Sequence, residues 1–354
     1  MRISKSASLA IIVLIAALGL IGWRLLSPAA EPNTLTTDAV TQTEVAGESK
    51  EAVIDTLPLE EGGGPSYHPI SIQALAELEL TGRDLTLGQV LDDNSAYTRY
   101  YVTYKSGDLT ISGIMNIPKG DGPFPVLVLN HGHIDTSVYT NGRGLKREQD
   151  YFASRGFAVI HPDYRNHAQS DKDPEEDYHF RFGYTEDVMN AVHAVKNSDL
   201  ASLDAGRMGM LGHSMGGGIT LNIMAAKPDL VDAYVLYAPV SADVRDNYER
   251  WTARRPEHVR EIEARYGSPA ESPEFWDGVS PWNYLDMISR PVLLQHGTAD
   301  ESVPYEWSER LYDTLVQKEK DITFHAYAGG PHEFVSDWPL FMQRNVEFFQ
   351  RHLQ

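Results

Sequence analysis

The sequence predicts an open, mostly parallel α/β sheet of eight strands, with helices on both faces and a short helical cap. Two observations lead to this fold class. From residue 97 onward, short apolar runs alternate with helix-compatible segments, as expected for strands joined by helical crossovers. The apolar runs are also continuous rather than alternating, which indicates strands buried on both faces. Functional sites in such a sheet lie at the carboxyl ends of the strands.

The strands can be placed in order along the chain. The first two form a hairpin within TRYYVTYKSGDLTISGIMNIPKG, around the turn KSGD. Six further strands are predicted at PVLVLN (125–130), FAVIHP (157–162), MGMLGH (208–213), AYVLYA (233–238), PVLLQH (291–296) and ITFHAY (322–327). Helices are predicted around 145–155, 184–197, 215–227, 304–318 and 338–352.

The cap is predicted as an insertion at about residues 241–285. Pro256 stands where a helix would begin, and Gly267 follows the point where it would end. The insertion is rich in large aromatic residues: Tyr248, Trp251, Phe275, Trp276 and Trp282. These side chains either form the wall of an apolar substrate pocket or anchor the cap onto the body.

The first 96 residues divide into three segments. Residues 1–26 carry Arg2 and Lys5 ahead of an uncharged stretch, which predicts a membrane anchor or a signal peptide. Residues 27–64 form an acidic linker too polar to fold. Residues 65–96 are predicted to add a helix and an irregular strand to the α/β domain at 97–354. The expected location is therefore extracytoplasmic, either anchored to a membrane or secreted if residues 1–26 are cleaved.

Composition excludes several classes of partner and chemistry. The chain has 50 Asp and Glu against 30 Lys and Arg, a net charge of −20, which argues against a nucleic acid partner. It contains no cysteine, which excludes disulfides, thiolate metal sites and a cysteine nucleophile. His131, His133 and His161 could suggest a metal site, but no carboxylate or further ligand lies at helical or turn spacing from them to complete one. No metal or other cofactor is therefore expected, and the oligomeric state is left open.

The segment GHSMG, residues 212–216, carries the strongest chemical signal. It lies between the fifth predicted strand and a helix, which is where a nucleophile elbow places its serine. Glycines two residues before and after Ser214 would let the helix and strand approach closely. The alternative is a glycine-rich turn that only packs or binds a phosphate at the helix N-terminus.

A serine hydroxyl needs a base to accept its proton and an acid to orient that base. Asp300 follows the seventh predicted strand and His332 the eighth, so both are expected at the same edge of the sheet as Ser214. Three other acids compete with Asp300 for the orienting role: Asp243, Glu301 and Asp321. Asp300 is preferred because it lies in a loop that leaves a strand.

An acyl-transfer site also needs two donors for the developing oxyanion. One is expected to be the backbone N–H of Met215, the residue after the nucleophile. The other should come from the loop after the third predicted strand, where the backbone N–H of His133 is the best placed donor.

These motifs together resemble the α/β-hydrolase superfamily and, within it, the catalytic domain of the prolyl oligopeptidase family of serine peptidases. The resemblance rests on ISGIMNIPKGDGPFPVLVLNHGH, DYRNHAQSD, GHSMGGG, SPWNYL, RPVLLQHGTADESVP and GGPHEF. It implies Ser214 as nucleophile, Asp300 as acid and His332 as base. Dienelactone hydrolases and acetyl esterases share the same scaffold.

The resemblance implies a serine hydrolase that cleaves a peptide, amide or ester bond through an acyl-enzyme. A carboxylesterase of the same fold is the first alternative. A catalytically silent, anchored binding module is the alternative from another class. The expected partners are a small ester or peptide substrate and, through residues 1–26, a membrane.

Overall fold

The computed structural model describes residues 66–353. The predicted anchor or signal segment and the linker, residues 1–64, lie outside this part of the chain. Among the helices of residues 66–353, none combines the length and apolar character needed to cross a membrane.

The described part of the chain forms one nine-stranded sheet with the order β1-β2-β3-β5-β4-β6-β7-β8-β9. The strands are β1 (Arg83–Asp93), β2 (Tyr97–Ser106), β3 (Leu109–Pro118), β4 (Phe124–Asn130), β5 (Ala158–Pro162), β6 (Leu203–His213), β7 (Ala233–Tyr237), β8 (Val292–Gly297) and β9 (Ile322–Tyr327). The pairs along β1-β2-β3-β5 are antiparallel and all the other pairs are parallel. The predicted fold class is confirmed.

The ninth strand is β1, which was predicted only as an irregular strand and was not counted among the eight. It is almost wholly exposed and its register with β2 shifts three times. Such a strand at a sheet edge has no continuous apolar run, so periodicity cannot identify it clearly.

Helices cover both faces, as predicted. They are α1 (Ile72–Glu77), α2 (Lys146–Ala153), α3 (Phe182–Lys196), α4 (Met215–Ala226), α5 (Val244–Asn247), α6 (Pro256–Tyr266), α7 (Pro273–Gly278), α8 (Tyr305–Gln317) and α9 (Trp338–His352). One core lies under α1, α3, α4 and α8. A second core, on the opposite face, contains Phe152 of α2 and Phe349 of α9. The strands between the two cores are buried on both sides, and this is why their sequences are continuously apolar.

The cap occupies the connection between β7 and β8. It contains α5, a π-helical turn (Tyr248–Thr252), α6, α7 and a 3-10 helix (Pro281–Met287). Pro256 is the first residue of α6, and Gly267 follows its end with φ of 74°, so the prediction for this helix is confirmed. Tyr248, Ile262 and Trp276 form a small apolar core inside the cap.

Candidate active site

Ser214 occupies the junction between β6, which ends at His213, and α4, which begins at Met215. Its backbone has φ of 54° and ψ of −118°, a strained conformation for a residue with a side chain. Backbone hydrogen bonds hold it there, including one from the Gly218 N–H to the Ser214 carbonyl at 3.2 Å. The Ser214 N–H donates to the Tyr237 carbonyl at 3.0 Å, and the Ser214 carbonyl accepts from Gly217 at 2.9 Å and from Val240 at 3.2 Å.

The glycines around Ser214 are needed because backbones approach closely there. A side chain at Gly212 would overlap the Gly216 carbonyl and the Thr220 hydroxyl, and one at Gly216 would overlap the Asn130 carbonyl. The first turn of α4 therefore packs directly against β6 and β4. This contact leaves Ser214 half-buried on the strained turn at the carboxyl edge of the sheet.

Asp300 and His332 meet at the same edge. Asp300 follows β8, and its fully buried carboxylate accepts a hydrogen bond from His332 Nδ1 at 2.7 Å. Its other oxygen accepts the backbone N–H groups of Ser302 and Val303, both at 2.8 Å. Burial alone would raise the pKa of Asp300, but the hydrogen bonds from His296 and His332 outweigh it and hold the pKa well below its usual range.

His296 is a site residue that the sequence analysis missed. It lies in β8 and is fully buried. Its Nε2 is 2.9 Å from Asp300 Oδ2, the oxygen that His332 also contacts, and its Nδ1 is 2.7 Å from the Ser308 hydroxyl. When Nε2 donates to the carboxylate, Nδ1 is left to accept from the Ser308 hydroxyl. The available signal was its position four residues before Asp300, at the end of the same strand.

The three competing acids occupy other positions. Asp243 caps the N-terminus of α5 by accepting the Arg245 N–H. Asp321 precedes β9, and its carbonyl accepts the Val292 N–H. Glu301 accepts the backbone N–H of His332 at 3.3 Å. Asp300 is the acid whose carboxylate contacts the His332 imidazole.

Met215 and His133, the two predicted oxyanion donors, line the same cavity as Ser214 and His332. Met215 is the first residue of α4, so its N–H belongs to the free donors at a helix N-terminus. His133 lies in the loop between β4 and α2. The structure thus brings Ser214, His332, Met215 and His133 to one cavity of about 370 Å³.

The loop that carries His133 is held by the buried carboxylate of Asp163. This carboxylate accepts hydrogen bonds from Tyr139 at 2.7 Å, Asn141 at 2.7 Å and the Gly142 N–H at 2.8 Å, all on the loop. It also accepts from Ser112 of β3 at 2.6 Å. The loop is therefore fixed to the end of β5 although it has no regular secondary structure.

The histidines near this loop are packed rather than arranged as ligands. His131 stacks on Tyr164 with ring centroids 4.3 Å apart and on His161 at 5.2 Å. Burial lowers the pKa of His161 to about 3 and that of His213 to about 3. Within residues 66–353, no group of three His, Cys, Asp or Glu side chains is placed to hold a metal ion.

Only one of the five cap aromatics lines the Ser214 cavity. That residue is Trp251. Tyr248 and Trp276 lie in the cap core. Phe275 faces a separate surface groove, and Trp282 lies beneath the Arg310 guanidinium, 4.8 Å from it. These four side chains lie outside the Ser214 cavity, in the cap or near its contact with the body.

Comparison with known proteins agrees with this architecture. Residues 143–354 match the prolyl oligopeptidase family, Peptidase_S9. A Bacillus subtilis protein described as the uncharacterized peptidase YtmA is 25% identical over 236 residues, which span 66% of this chain and 86% of that protein. Esterase EstD of Thermotoga maritima is 28% identical over 42% of this chain and 35% of its own length.

Solved structures share the fold at lower identity. Pyrococcus horikoshii acylaminoacyl peptidase superposes with a TM-score of 0.60 at 22% identity, over 73% of this chain and 42% of that one. Acetyl xylan esterase from Paenibacillus sp. R4 gives a TM-score of 0.62 at 21% identity, over 80% and 92%. The chain belongs to the prolyl oligopeptidase family and is a serine hydrolase with the α/β-hydrolase fold.

Proposed function

We propose that Ser214, His332 and Asp300 form a catalytic triad that cleaves a peptide, amide or ester bond through an acyl-enzyme. One observation carries the proposal: Ser214, on its strained turn, shares a cavity with His332, whose Nδ1 lies 2.7 Å from the buried Asp300 carboxylate. A nucleophile beside a base that a carboxylate orients is the arrangement that acyl transfer requires.

Each group has a role in the proposed reaction. Because Asp300 accepts at Nδ1, it keeps that nitrogen protonated and leaves Nε2 of His332 free to accept the Ser214 proton. The Ser214 Oγ attacks the carbonyl carbon, and the N–H groups of Met215 and His133 stabilise the oxyanion. The imidazolium then protonates the leaving group. Water, deprotonated by His332, then attacks the acyl-enzyme, and the resulting imidazolium protonates the Ser214 Oγ as the acid is released.

The bond type is the second part of the proposal. Relatives described as peptidases and as esterases both match this chain, and the same triad serves both reactions. We place peptide or amide cleavage first because the family match covers residues 143–354, and carboxylester cleavage second. A silent binding module is the third candidate, and a reactive Ser214 would exclude it.

The test is a fluorophosphonate probe together with a substrate panel. We expect the full-length chain to be labelled at Ser214 and to hydrolyse either aryl esters of graded acyl length or aminoacyl anilides. Ser214→Ala should lose both labelling and turnover. Ser137→Ala, which changes an exposed serine in the loop between β4 and α2, should keep both. Turnover that survives Ser214→Ala in a folded preparation would refute the mechanism.

A further inference from the structure

The cavity at Ser214 continues into a second cavity of about 300 Å³. The two share five lining residues: His133, Ile134, Arg181, Met215 and Arg255. A substrate whose carbonyl lies at Ser214 can therefore extend past His133 and Met215. The boundary between the two cavities carries two arginines, one from the body and one from the cap.

Arg181 reaches this boundary from a strained position. It precedes the first residue of α3 and has φ of 67°, an uncommon conformation for a residue with a side chain. Its neighbour Arg165 is saturated by ion pairs to Asp173, Glu186 and Asp187. Within residues 66–353, the Arg181 guanidinium has neither an ion pair nor a hydrogen bond, although the residue is mostly buried.

Arg255 comes from the other side, directly before Pro256 of α6. Its guanidinium also lacks an ion pair and a hydrogen bond within the described part of the chain. The two arginines act on the same histidine: burial lowers the pKa of His133, and the charges of Arg181 and Arg255 lower it further. Two positive charges thus flank the residue that supplies the proposed second oxyanion donor.

Four acidic residues line the two cavities, namely Asp135, Glu176, Asp177 and Glu333, and none makes an ion pair with either arginine within residues 66–353. The charges of Glu176 and Asp177 still act on Arg181 and favour its charged form. Glu176 lies in the second cavity, but its carboxylate accepts the N–H groups of Gly183 and Tyr184 at the start of α3. Asp135 accepts from Ser137 at 2.6 Å. Within the described residues, the cleft beside the proposed nucleophile therefore presents two guanidinium groups without an ion pair, in a protein whose net charge is −20.

We propose that Arg181 and Arg255 form a subsite for an anionic group, a carboxylate or a phosphate, carried by the substrate whose carbonyl is attacked by Ser214. Guanidinium groups bind both anions through paired N–H donors. The proposal rests on the proposed function and narrows the substrate to an ester or amide with a negative charge away from the scissile bond. The contribution of Arg255 makes this selectivity depend on the cap.

The test compares matched substrates that differ in one charge. Mono-p-nitrophenyl suberate carries a free carboxylate, its methyl ester is neutral, and p-nitrophenyl 6-phosphonooxyhexanoate carries a phosphate. We expect the full-length chain to prefer at least one anionic substrate over the neutral ester in kcat/KM. Arg181→Gln and Arg255→Gln should each reduce this ratio by about tenfold to a hundredfold. Arg254→Gln, an exposed neighbour outside both cavities, should keep the ratio.

The outcomes separate the two proposals. A wild-type ratio near one, or an equal ratio in wild type and both arginine variants, would reject the subsite while Ser214-dependent hydrolysis of the neutral ester stands. Hydrolysis that persists in Ser214→Ala would reject the proposed function itself. Because Arg255 is exposed, Arg255→Gln provides a result even if Arg181→Gln does not fold. Preference for the carboxylate or for the phosphate identifies the group.

Discussion

Asp300 is the residue on which the proposed chemistry depends most. Its carboxylate is fully buried, yet four donors from Ser302, Val303, His296 and His332 keep it charged. Hydrogen bonds to the ionised form lower a carboxyl pKa more than burial raises it when several donors converge. His296 adds a second imidazole to the oxygen that His332 contacts and so fixes the direction in which the carboxylate points.

The first prediction at this scale concerns pH. Because the pKa of Asp300 is held well below its usual range, its charge does not change between about pH 5 and pH 9. The plateau of kcat/KM across this range should therefore contain no inflection from Asp300. We expect Asp300→Asn to lower the plateau by orders of magnitude, because His332 loses its preferred tautomer.

The control for this measurement is Asp321→Asn, which removes a carboxylate that lies before β9 and should leave the profile unchanged. The assignment would fail if Asp300→Asn kept nearly full activity while Glu301→Gln abolished it. In that case the loop after β8 would still supply the acid, but from the adjacent residue.

At the scale of elements, the loop between β4 and α2 shows how an irregular segment is made rigid. It carries His133, the proposed oxyanion donor, and has no helix or strand hydrogen bonds of its own. Asp163 directly follows β5. Its carboxylate holds the loop instead, by accepting hydrogen bonds from three loop residues and from Ser112. A buried acceptor that satisfies several donors stabilises a loop because each unpaired donor would be costly.

Asp163→Asn should therefore destabilise the protein and impair catalysis. An amide offers fewer acceptor sites and adds two donors, so at least one loop donor loses its partner. We expect the free energy of unfolding to fall by about 2–3 kcal/mol, as measured by urea denaturation. The value of kcat should also fall at temperatures where the variant remains folded.

Asp135→Asn is the matched control, because Asp135 is an exposed carboxylate on the same loop whose side-chain hydrogen bonds within residues 66–353 come from Ser137 alone. It should change stability by less than about 0.5 kcal/mol. Equal effects of the two substitutions would show that Asp163 does not hold the loop.

At the scale of the whole molecule, the predicted location and the net charge of the protein both affect which substrates reach the site. The sequence predicts export through residues 1–26, which lie outside the described part of the chain, and we propose a membrane-anchored enzyme with an extracytoplasmic hydrolase domain. The strongly negative net charge would repel anionic substrates at long range. A positive subsite inside the cleft offsets that repulsion locally.

Fractionation tests the location. The tagged full-length chain should sediment with membranes after a high-salt wash, because a hydrophobic anchor does not respond to ionic strength. Its C-terminal tag should become sensitive to external protease once outer layers are opened, while a cytoplasmic marker stays protected. Recovery of the intact chain in the cytoplasmic fraction would reject the proposal, and recovery of a shortened chain in the medium would indicate a cleaved signal.

The sequence by itself determined the fold class and the order of its elements. Continuous apolar runs identified the eight strands because burial on both faces leaves no polar side. Proline and glycine marked the ends of α6 because each has restricted or special backbone geometry. The elbow around Ser214 was predictable from GHSMG because the close contact of α4 with β6 excludes side chains at fixed positions.

Only the tertiary structure decided which side chains meet. His296 carries no motif of its own, and its contact with Asp300 depends on how the loop after β8 folds back. Arg181 and Arg255 are 74 residues apart in number and come together at one cleft because the cap folds over the body. The cap aromatics look alike in sequence, yet Trp251 lines the cavity and Trp276 is buried. The sequence shows which residues are apolar and how they repeat along an element. The packing of distant segments decides which surface each of them covers.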